Sequence, residues 1–481
     1  MKINDEKSRA FMVIGFAIIF LMGISNLPKE TKIFGYQIKP VDLFMDIKPD
    51  SLFYQDFMNK ESKPSKEFEP TEEIQLNNAQ LFSKLDMNLL SAWYEKNKDG
   101  FVTSRPTSSS QIGNSNVPIT GNVDNMKYFF DALKQSKNRK VRIADFSDSG
   151  NEGDLVTADL RQMFQSQFGG NGVGWMSITS QDITFRVSSK HSFSNDWRTV
   201  SVLTGGAQGV TLNFNGFTAI PNSNNSWVRY EAGTAYANSR SFNNARLFYT
   251  NARASQIKYS VNNGADQTAN LVAGADVKEL VLATNQEMRN LRITATQANQ
   301  AQFFGVNLDG GNGVYIDNFP WRGNTGISFR DFSPATLKQF NRFMDYKLII
   351  LTFGANMLAQ GNINWTWYEN QKTKVINDLK EAFPQTSILI VGVGDKAIKR
   401  GTRFITDPNA LRLMEIQKKV AEQTGVAYWN KFDAMGGMNS MTQWVNANLA
   451  AKDYGHLNYE GSKRMAQIVY QTLMNAYNNY K

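Results

Sequence analysis

The sequence predicts an α/β fold with a mostly parallel sheet, into which an all-β sandwich or jelly-roll domain is inserted. In residues 124–177, and again in 309–481, continuous apolar runs alternate with segments whose apolar residues follow helical spacing. Buried strands that alternate with helices are typical of a parallel sheet. Between these blocks, residues 178–308 contain short segments rich in β-branched and aromatic residues, separated by Asn, Gly and Ser. Regular short strands with turn signals are typical of a β-sandwich.

The elements of the α/β domain follow in chain order. The segment VDNMKYFFDALKQSKNRK (123–140) predicts a helix, VRIADF (141–146) a buried strand, and LVTADLRQMFQSQF (155–168) a second helix. After the β-rich region, GVYIDNF, KLIILTF and SILIVGVGD predict further buried strands. The later helices are predicted from NQKTKVINDLKEAF, PNALRLMEIQKKVAEQTG and GSKRMAQIVYQTLMNAYNNY.

The first 27 residues predict an export signal. Lys2, Lys7 and Arg9 precede the apolar run FMVIGFAIIFLMGI (11–24), which is typical of a signal peptide or an uncleaved signal-anchor. The alternative is a buried helix of the fold, but Pro28 and polar sequence follow the run directly. Export would place the rest of the chain in the periplasm or outside the cell. A signal-anchor would also attach it to the inner membrane through residues 11–27.

Residues 28–123 predict a stalk or linker between this segment and the main domain. Their patterning is irregular, and the stretch TSRPTSSSQIGNSNVPITGN (103–122) is rich in Ser, Thr, Asn, Pro and Gly. Such composition is typical of long loops and linkers.

Composition excludes several chemistries. The chain has no cysteine, so it has no thiol nucleophile, disulfide or thiolate metal site. It has only two histidines, His191 and His456, which argues against a multi-histidine metal site, and we expect no metal ion or cofactor. The formal net charge of +9 suits an acidic polymer or a membrane surface. No dense Lys/Arg tract is present, so we do not expect a nucleic-acid partner.

Residues suited to serine chemistry follow the predicted strand ends. Ser147 and Ser149 flank Asp148 after the first strand, and Asp453 precedes His456 by three residues before the last helix. A carboxylate at this spacing can hold the imidazole at Nδ1 and leave Nε2 to take a proton from a serine. Taken alone, an Asp/His pair at this spacing is more often a chance surface pair. Its position opposite a serine at the carboxyl edge of an α/β sheet favours the catalytic interpretation.

These residues, taken in order, resemble the SGNH, or GDSL-type, hydrolase superfamily. Its four blocks are matched by Asp148–Ser149, by Gly323 in RGNTG, by Asn356 in GAN, and by Asp453 and His456 in DYGH. The resemblance covers about 140–175 and 310–480. It implies a flavodoxin-like three-layer domain, a Ser149/His456/Asp453 triad, and an oxyanion hole formed by the N–H groups of Ser149 and Gly323 and the amide of Asn356. The chain departs from the pattern at three positions: Ser147 replaces the usual Gly, Gly150 the usual Leu, and Met357 a frequent acidic residue.

The layout resembles a narrower group, the exported carbohydrate esterases that act on O-acetylated peptidoglycan or related polysaccharides. The resemblance implies a serine-dependent O-acetylesterase with an acetylated polysaccharide or peptidoglycan as its substrate. A polysaccharide O-acetyltransferase with the same triad is the first alternative, and a noncatalytic glycan-binding scaffold is the second. In the β-rich insertion, Trp197, Trp227 and Tyr230 are candidate glycan contacts, although aromatic residues of a sandwich usually pack in its core. His191 lies in the polar stretch SSKHSFSND and is expected at the surface.

Overall fold

The computed structural model describes residues 112–180, 185–205, 208–298, 300–360 and 363–480, together with two short strands near the N-terminus. The chain divides into two compact units, Met1–Glu73 and Ile74–Lys481. In the first unit, β1 (Lys32–Ile33) pairs with β2 (Tyr36–Gln37) in antiparallel fashion. The predicted signal segment 1–27 and most of the predicted stalk lie outside the described residues. None of the helices in the described ranges combines the length and hydropathy needed to cross a bilayer.

The second unit alternates between α/β and all-β sequence. Its strands are β3 (Ile119–Gly121), β4 (Lys140–Ser147), β5 (Gly174–Ser177), β6 (Ser189–Phe193), β7 (Trp197–Ser201), β8 (Phe217–Pro221), β9 (Trp227–Ala232), β10 (Asn244–Thr250), β11 (Ser255–Val261), β12 (Gln267–Leu271), β13 (Lys278–Ala283), β14 (Asn290–Gln297), β15 (Gln302–Asp309), β16 (Gly313–Pro320), β17 (Tyr346–Thr352), β18 (Ser387–Val391), β19 (Ala397–Arg400), β20 (Arg403–Thr406) and β21 (Ala427–Trp429). Its α-helices are α1 (Lys127–Lys134), α2 (Thr157–Phe168), α3 (Pro334–Met344), α4 (Trp365–Ala382), α5 (Pro408–Thr424), α6 (Lys431–Met435), α7 (Ser440–Asn446) and α8 (Tyr459–Asn479).

A mostly parallel sheet organises the α/β part, as the sequence predicts. Its order is β16-β4-β17-β18-β21-β3, and every neighbouring pair is parallel except β21 with β3. Counted along the chain, the five parallel strands follow the flavodoxin-like order 2-1-3-4-5. Their residues are almost all buried, because helices cover both faces. One face packs against α3, α4 and α5, and the other against α1, α2, α7 and α8.

The β-rich region forms two antiparallel sheets. One has the order β13-β10-β15-β8-β7, with β5 also paired to β15, and the other the order β12-β11-β14-β9-β6. A single apolar cluster contains residues of both sheets, among them Leu247 and Val306 of the first and Ile257 and Ile293 of the second. The alternating burial along β14 is what a strand with one covered face requires.

The structure differs from the sequence prediction near two segment boundaries, at the end of the predicted stalk and at the start of the β-rich region. Residues 112–123 do not behave as a linker, because β3 adds an antiparallel edge strand to the main sheet and Ile112 is buried. The Arg464 Nε group also donates to the carbonyl of Ile112 (2.7 Å). The antiparallel pairing begins at Gly174 in β5 rather than at residue 178. The sequence does not predict β3 because its segment is polar, and it does not predict β5 because that strand is short.

Candidate active site

A tight turn at the end of β4 presents Ser149. The Asp148 carboxylate accepts the backbone N–H of Gly150 (3.0 Å) and caps the 3₁₀ segment Ser149–Asp154. Ser147, by contrast, is fully buried, and its hydroxyl donates to the carbonyl of Asp148 (3.1 Å). Of the two serines considered from the sequence, only Ser149 reaches the histidine, and Asp148 has a structural role.

Ser149, His456 and Asp453 form a continuous chain of hydrogen bonds. His456 Nε2 lies 3.0 Å from Ser149 Oγ, and His456 Nδ1 lies 2.7 Å from Asp453 Oδ2. The second carboxylate oxygen of Asp453 accepts the backbone N–H groups of Gly455 (2.9 Å) and His456 (3.1 Å). The aspartate is therefore fixed by its own loop, and it in turn orients the imidazole towards the serine.

The pKa values of this pair shift in opposite directions. The hydrogen bond from His456 holds the pKa of Asp453 well below its usual range, and the same bond raises the pKa of His456 above 6.5. A neutral imidazole whose Nδ1–H is held by a carboxylate presents the Nε2 lone pair to the serine hydroxyl. This arrangement has the geometry of a nucleophile with an oriented general base.

Two loops flank Ser149 at the same sheet edge. In the parallel register, Ser147 pairs with Pro320 of β16 and Thr352 of β17, so the chain leaves all three strands side by side. The β16 loop contains Gly323, which has a left-handed backbone (φ 73°), and the β17 loop contains Asn356. This point, between the first and third strands of a 2-1-3-4-5 sheet, is where the strand order reverses and where ligands bind in such folds.

A hydrogen bond joins these two loops. Asn356 Nδ2 donates to the backbone carbonyl of Asn324 (3.0 Å). A side-chain amide has two N–H donors, so this bond fixes the amide and uses only one of them. Gly354 lets the β17 loop turn, because its φ is 150° and a side chain there would come within 3.0 Å of Val393.

A buried polar network supports the nucleophile turn from below. Asp145 of β4 accepts hydrogen bonds from Asn151 (2.9 Å) and Thr157 (2.7 Å), and Asn318 of β16 donates to the carbonyl of Asn151 (2.9 Å). Burial raises the pKa of Asp145 to about 6. The network ties the turn to two strands of the sheet, which restricts the position of Ser149.

A buried ion pair holds the far end of the same turn. Arg161 of α2 donates to both carboxylate oxygens of Asp154 (2.7 and 2.9 Å), and its Nε donates to the carbonyl of Ile316 (2.8 Å). Asp154 and Val156 both have left-handed backbone conformations, with φ of 66° and 60°. Such strain in a β-branched residue like Val156 persists only where surrounding contacts enforce it.

An aromatic stack fixes the loop that contains Asp453 and His456. Tyr454, which lies between them, has a φ of 57°, and its ring lies 3.6 Å from that of Phe404 at an angle of 7°. Its carbonyl also accepts the N–H of Ala397 (3.0 Å). The hairpin β19–β20 therefore contacts the Asp/His loop through a ring and a backbone bond.

The candidate glycan contacts fall into two groups. Trp197 and Trp227 are partly buried, and Trp197 Nε1 donates to the carbonyl of Trp227 (3.0 Å). Tyr230 is fully buried and its hydroxyl donates to the carbonyl of Ser177 (2.9 Å), so the prediction that it contacts a glycan is wrong. His191 is also buried, because it lies on β6 and stacks on Tyr230 (4.9 Å), and the prediction that it lies at the surface is wrong.

Several supporting residues carry no clear sequence signal. The partners Asn318 and Thr157 are 161 residues apart, and Phe404 and Tyr454 belong to separate elements. Only the polar run SGNEGD, which begins at Ser149, indicates that the turn needs internal hydrogen bonds. The ion pair between Glu152 of this run and Arg322 spans 170 residues.

Comparison with solved structures identifies the fold. The chain superposes on a peptidoglycan O-acetylesterase with a TM-score of 0.62 at 21% sequence identity, over 75% of this chain and 99% of that one. A family two carbohydrate esterase from Cellvibrio japonicus (TM-score 0.26, 12% identity, 60% and 98% of the two chains) and the salicylyl-acyltransferase SsfX3 (0.29, 12%, 63% and 97%) align too poorly to support an argument. No family profile and no curated protein matches the sequence. The chain thus has the fold of that peptidoglycan O-acetylesterase, which confirms the expected resemblance at the level of fold.

Proposed function

We propose that this protein is a serine-dependent O-acetylesterase that removes acetyl groups from peptidoglycan or another polysaccharide. The observation that carries the proposal is the hydrogen-bonded series Ser149–His456–Asp453, with distances of 3.0 and 2.7 Å, at the switch point of the sheet. A noncatalytic glycan-binding scaffold has no need of an oriented base beside a serine hydroxyl.

The mechanism follows from the donors and acceptors around Ser149. His456 Nε2 takes the hydroxyl proton as Ser149 Oγ attacks the acetyl carbonyl carbon, and the carbonyl oxygen becomes an oxyanion. The N–H groups of Ser149 and Gly323 and the second amide N–H of Asn356 are the proposed donors to this oxyanion. The imidazolium then protonates the sugar oxygen as the ester bond breaks, which leaves an acetyl group on Ser149.

Water completes the reaction by the reverse sequence. His456 deprotonates a water molecule, which attacks the acetyl-serine carbonyl, and acetate leaves as the proton returns to Ser149. The side chains of His456 and Asp453 are 55% and 51% exposed, so solvent reaches the base directly. This exposure favours hydrolysis over transfer of the acetyl group to a sugar hydroxyl, which requires water to be excluded.

We also propose that the enzyme acts outside the cytoplasm. An extracytoplasmic site of action fits a peptidoglycan substrate, and the predicted N-terminal signal or anchor supports it. We further propose that the two antiparallel sheets are a β-sandwich domain, inserted between the first two strands of the α/β sheet. We expect this domain to be carbohydrate-binding-like, as the resemblance to the exported esterases implies.

The direct test measures acetate release from p-nitrophenyl acetate and from O-acetylated peptidoglycan. Ser149→Ala and His456→Ala should each lower kcat/KM by at least about 10³-fold, whereas Ser147→Ala should retain most of the activity. Acetyl transfer to a glycan acceptor without acetate release would instead identify a transferase. Full activity of Ser149→Ala would exclude the proposed mechanism.

A further inference from the structure

A cleft lies between the nucleophile edge of the α/β sheet and the β-rich region. Its volume is about 370 Å³, within the usual range of small-molecule sites. The α/β part contributes Glu152 and Arg322 to its lining, and the β-rich part contributes Phe193, Trp197 and Thr199, among others. We call this space the lateral cleft.

Two residues that line the lateral cleft are close in sequence to residues of the proposed active site. Glu152 belongs to the same 3₁₀ segment as Ser149, and Arg322 directly precedes Gly323. The two side chains form an ion pair across the edge of the cleft, with Arg322 Nη2 2.7 Å and Nε 2.8 Å from Glu152 Oε2. We therefore expect a ligand whose ester reaches Ser149 to extend past this pair towards the β-rich region.

The chemistry of the walls suits an uncharged sugar. Glu152 and Arg322 pair with each other, and Arg186 lies 3.4 Å from the carboxylate of Asp154, which Arg161 also binds. The remaining lining combines aromatic rings with hydroxyl and amide groups, as in Phe217, Thr204 and Asn195. Sugars present both features, because their hydroxyls pair with neutral polar groups and their C–H faces pack on aromatic rings.

Alternate residues of the edge strand β7 form one wall of the lateral cleft. Trp197, Thr199 and Ser201 line the lateral cleft, whereas the intervening residue Arg198 does not. Successive strand residues point to opposite faces, so neighbouring positions on this strand form a natural pair of test and control. Thr199 and Arg198 are both exposed, and neither belongs to the apolar core.

We infer that the lateral cleft binds a neutral sugar unit next to the acetylated one, so that the substrate is a chain of at least two sugars. The inference rests on the proposed esterase function and specifies its substrate class. It gives the β-rich region a direct part in substrate selection, through β7 and the β6–β7 turn.

The test compares short and long substrates in wild type and in variants of β7. We expect kcat/KM for O-acetylated chito-oligosaccharides to exceed that for an O-acetylated N-acetylglucosamine monosaccharide. Thr199→Trp should fill the cleft and lower kcat/KM for the oligosaccharide by about tenfold or more, equivalent to 1.4 kcal/mol or more. The same variant should therefore lower the ratio of the oligosaccharide kcat/KM to the p-nitrophenyl acetate kcat/KM. Arg198→Trp, outside the cleft, should leave this ratio unchanged, and the milder Asn195→Ala should lower it less than Thr199→Trp does.

Distinct outcomes separate this inference from the proposed function. Equal rates on the monosaccharide and the oligosaccharide, or full oligosaccharide activity in both Thr199→Trp and Asn195→Ala, would overturn the lateral cleft as a sugar site. So would a preference for O-acetylated oligogalacturonate, an acidic chain, over the neutral one. A different result would contradict the proposed esterase function, namely p-nitrophenyl acetate hydrolysis that does not depend on Ser149.

Discussion

At the scale of single residues, the Asp453–His456 bond should set the pH at which His456, the proposed base, accepts a proton. Because this bond raises the pKa of His456 above 6.5, and only the neutral imidazole can accept the serine proton, kcat/KM should rise with pH along a limb centred above 6.5. Asp453→Asn should shift that limb to lower pH and reduce the plateau by up to about 10⁴-fold. The measurement is the pH profile of kcat/KM, with the exposed neighbour variant Lys452→Ala as control. An unchanged profile in Asp453→Asn would contradict the assigned role.

A buried lysine beside the loops that contain Gly323 and Asn356 leads to a prediction about stability. Lys372 of α4 is 1% exposed, its Nζ has no hydrogen-bond partner among the described residues, and it lies 5.2 Å from the Phe353 ring. A side chain at Gly326 would come within 2.8 Å of Lys372 Nζ, so the ammonium also lies against the loop that follows Gly323. Burial lowers the pKa of Lys372 to about 7 from 10.5.

The pKa of Lys372 differs between the folded and the unfolded chain, and this difference makes the free energy of unfolding depend on pH. Between pH 7 and 10.5 the unfolded chain binds the Lys372 proton and the folded chain does not, so this residue makes wild-type stability rise with pH. Lys372→Met removes the cost of the buried charge, at roughly 1.4 kcal/mol per pKa unit, and should stabilise the protein most near neutral pH. Urea unfolding at pH 7 and pH 10 measures this difference. A variant that is destabilised equally at both pH values would contradict the account.

At the scale of elements, the hairpin β19–β20 contacts the loop that contains Asp453 and His456. The Phe404 ring stacks on Tyr454, whose left-handed backbone lies between Asp453 and His456. Phe404→Ala should loosen the Asp453–His456 bond, reduce kcat/KM by about 10–10²-fold, and shift its pH limb towards 6.5. Phe404→Tyr keeps the stacked ring and should restore both properties. A purely structural role would lower the melting temperature of Phe404→Ala and leave the pH limb in place.

The elements also show which parts of the site the sequence can predict. Ser149 and Asn356 follow strands whose apolar runs are unmistakable, and with only two histidines in the chain the search for a base is short. The short strand β3 escaped prediction because a Ser-, Asn- and Pro-rich segment acquires its order from pairing with β21. Tyr230 was placed wrongly because alternation along a strand does not tell which face meets the second sheet. Contacts such as Glu152–Arg322 depend on tertiary packing alone.

At the scale of the whole molecule, one apolar cluster contains side chains of both the α/β and the β-rich parts. Phe340 of α3 is fully buried and contacts Trp175 (5.2 Å), Phe248 (5.5 Å) and Phe214 (5.8 Å) of the β-rich region. Arg142 of β4 also pairs with Asp309 of β15 within the protein interior. The β-rich region is therefore an integral part of the fold that holds the site, although it interrupts the α/β sequence.

This shared core predicts that the two parts unfold together. Phe340→Ala should lower the free energy of unfolding by about 3–5 kcal/mol, and hydrogen exchange should report the same loss of protection in β10 and in β17. The conservative variant Phe340→Leu should lose less. Selective loss of protection in the α/β strands, with β10 unaffected, would show that the two parts are energetically separate.

Acid quenching during turnover of p-nitrophenyl acetate tests most directly whether Ser149 carries the acetyl group during the reaction. Peptide mass mapping of the quenched protein should find one acetyl group on the peptide that contains Ser149. The fragment ions should place it on Ser149 rather than Ser147, and Ser149→Ala should carry none. Acetylation at Ser147 or at another residue, or turnover by Ser149→Ala at the wild-type rate, would contradict the account.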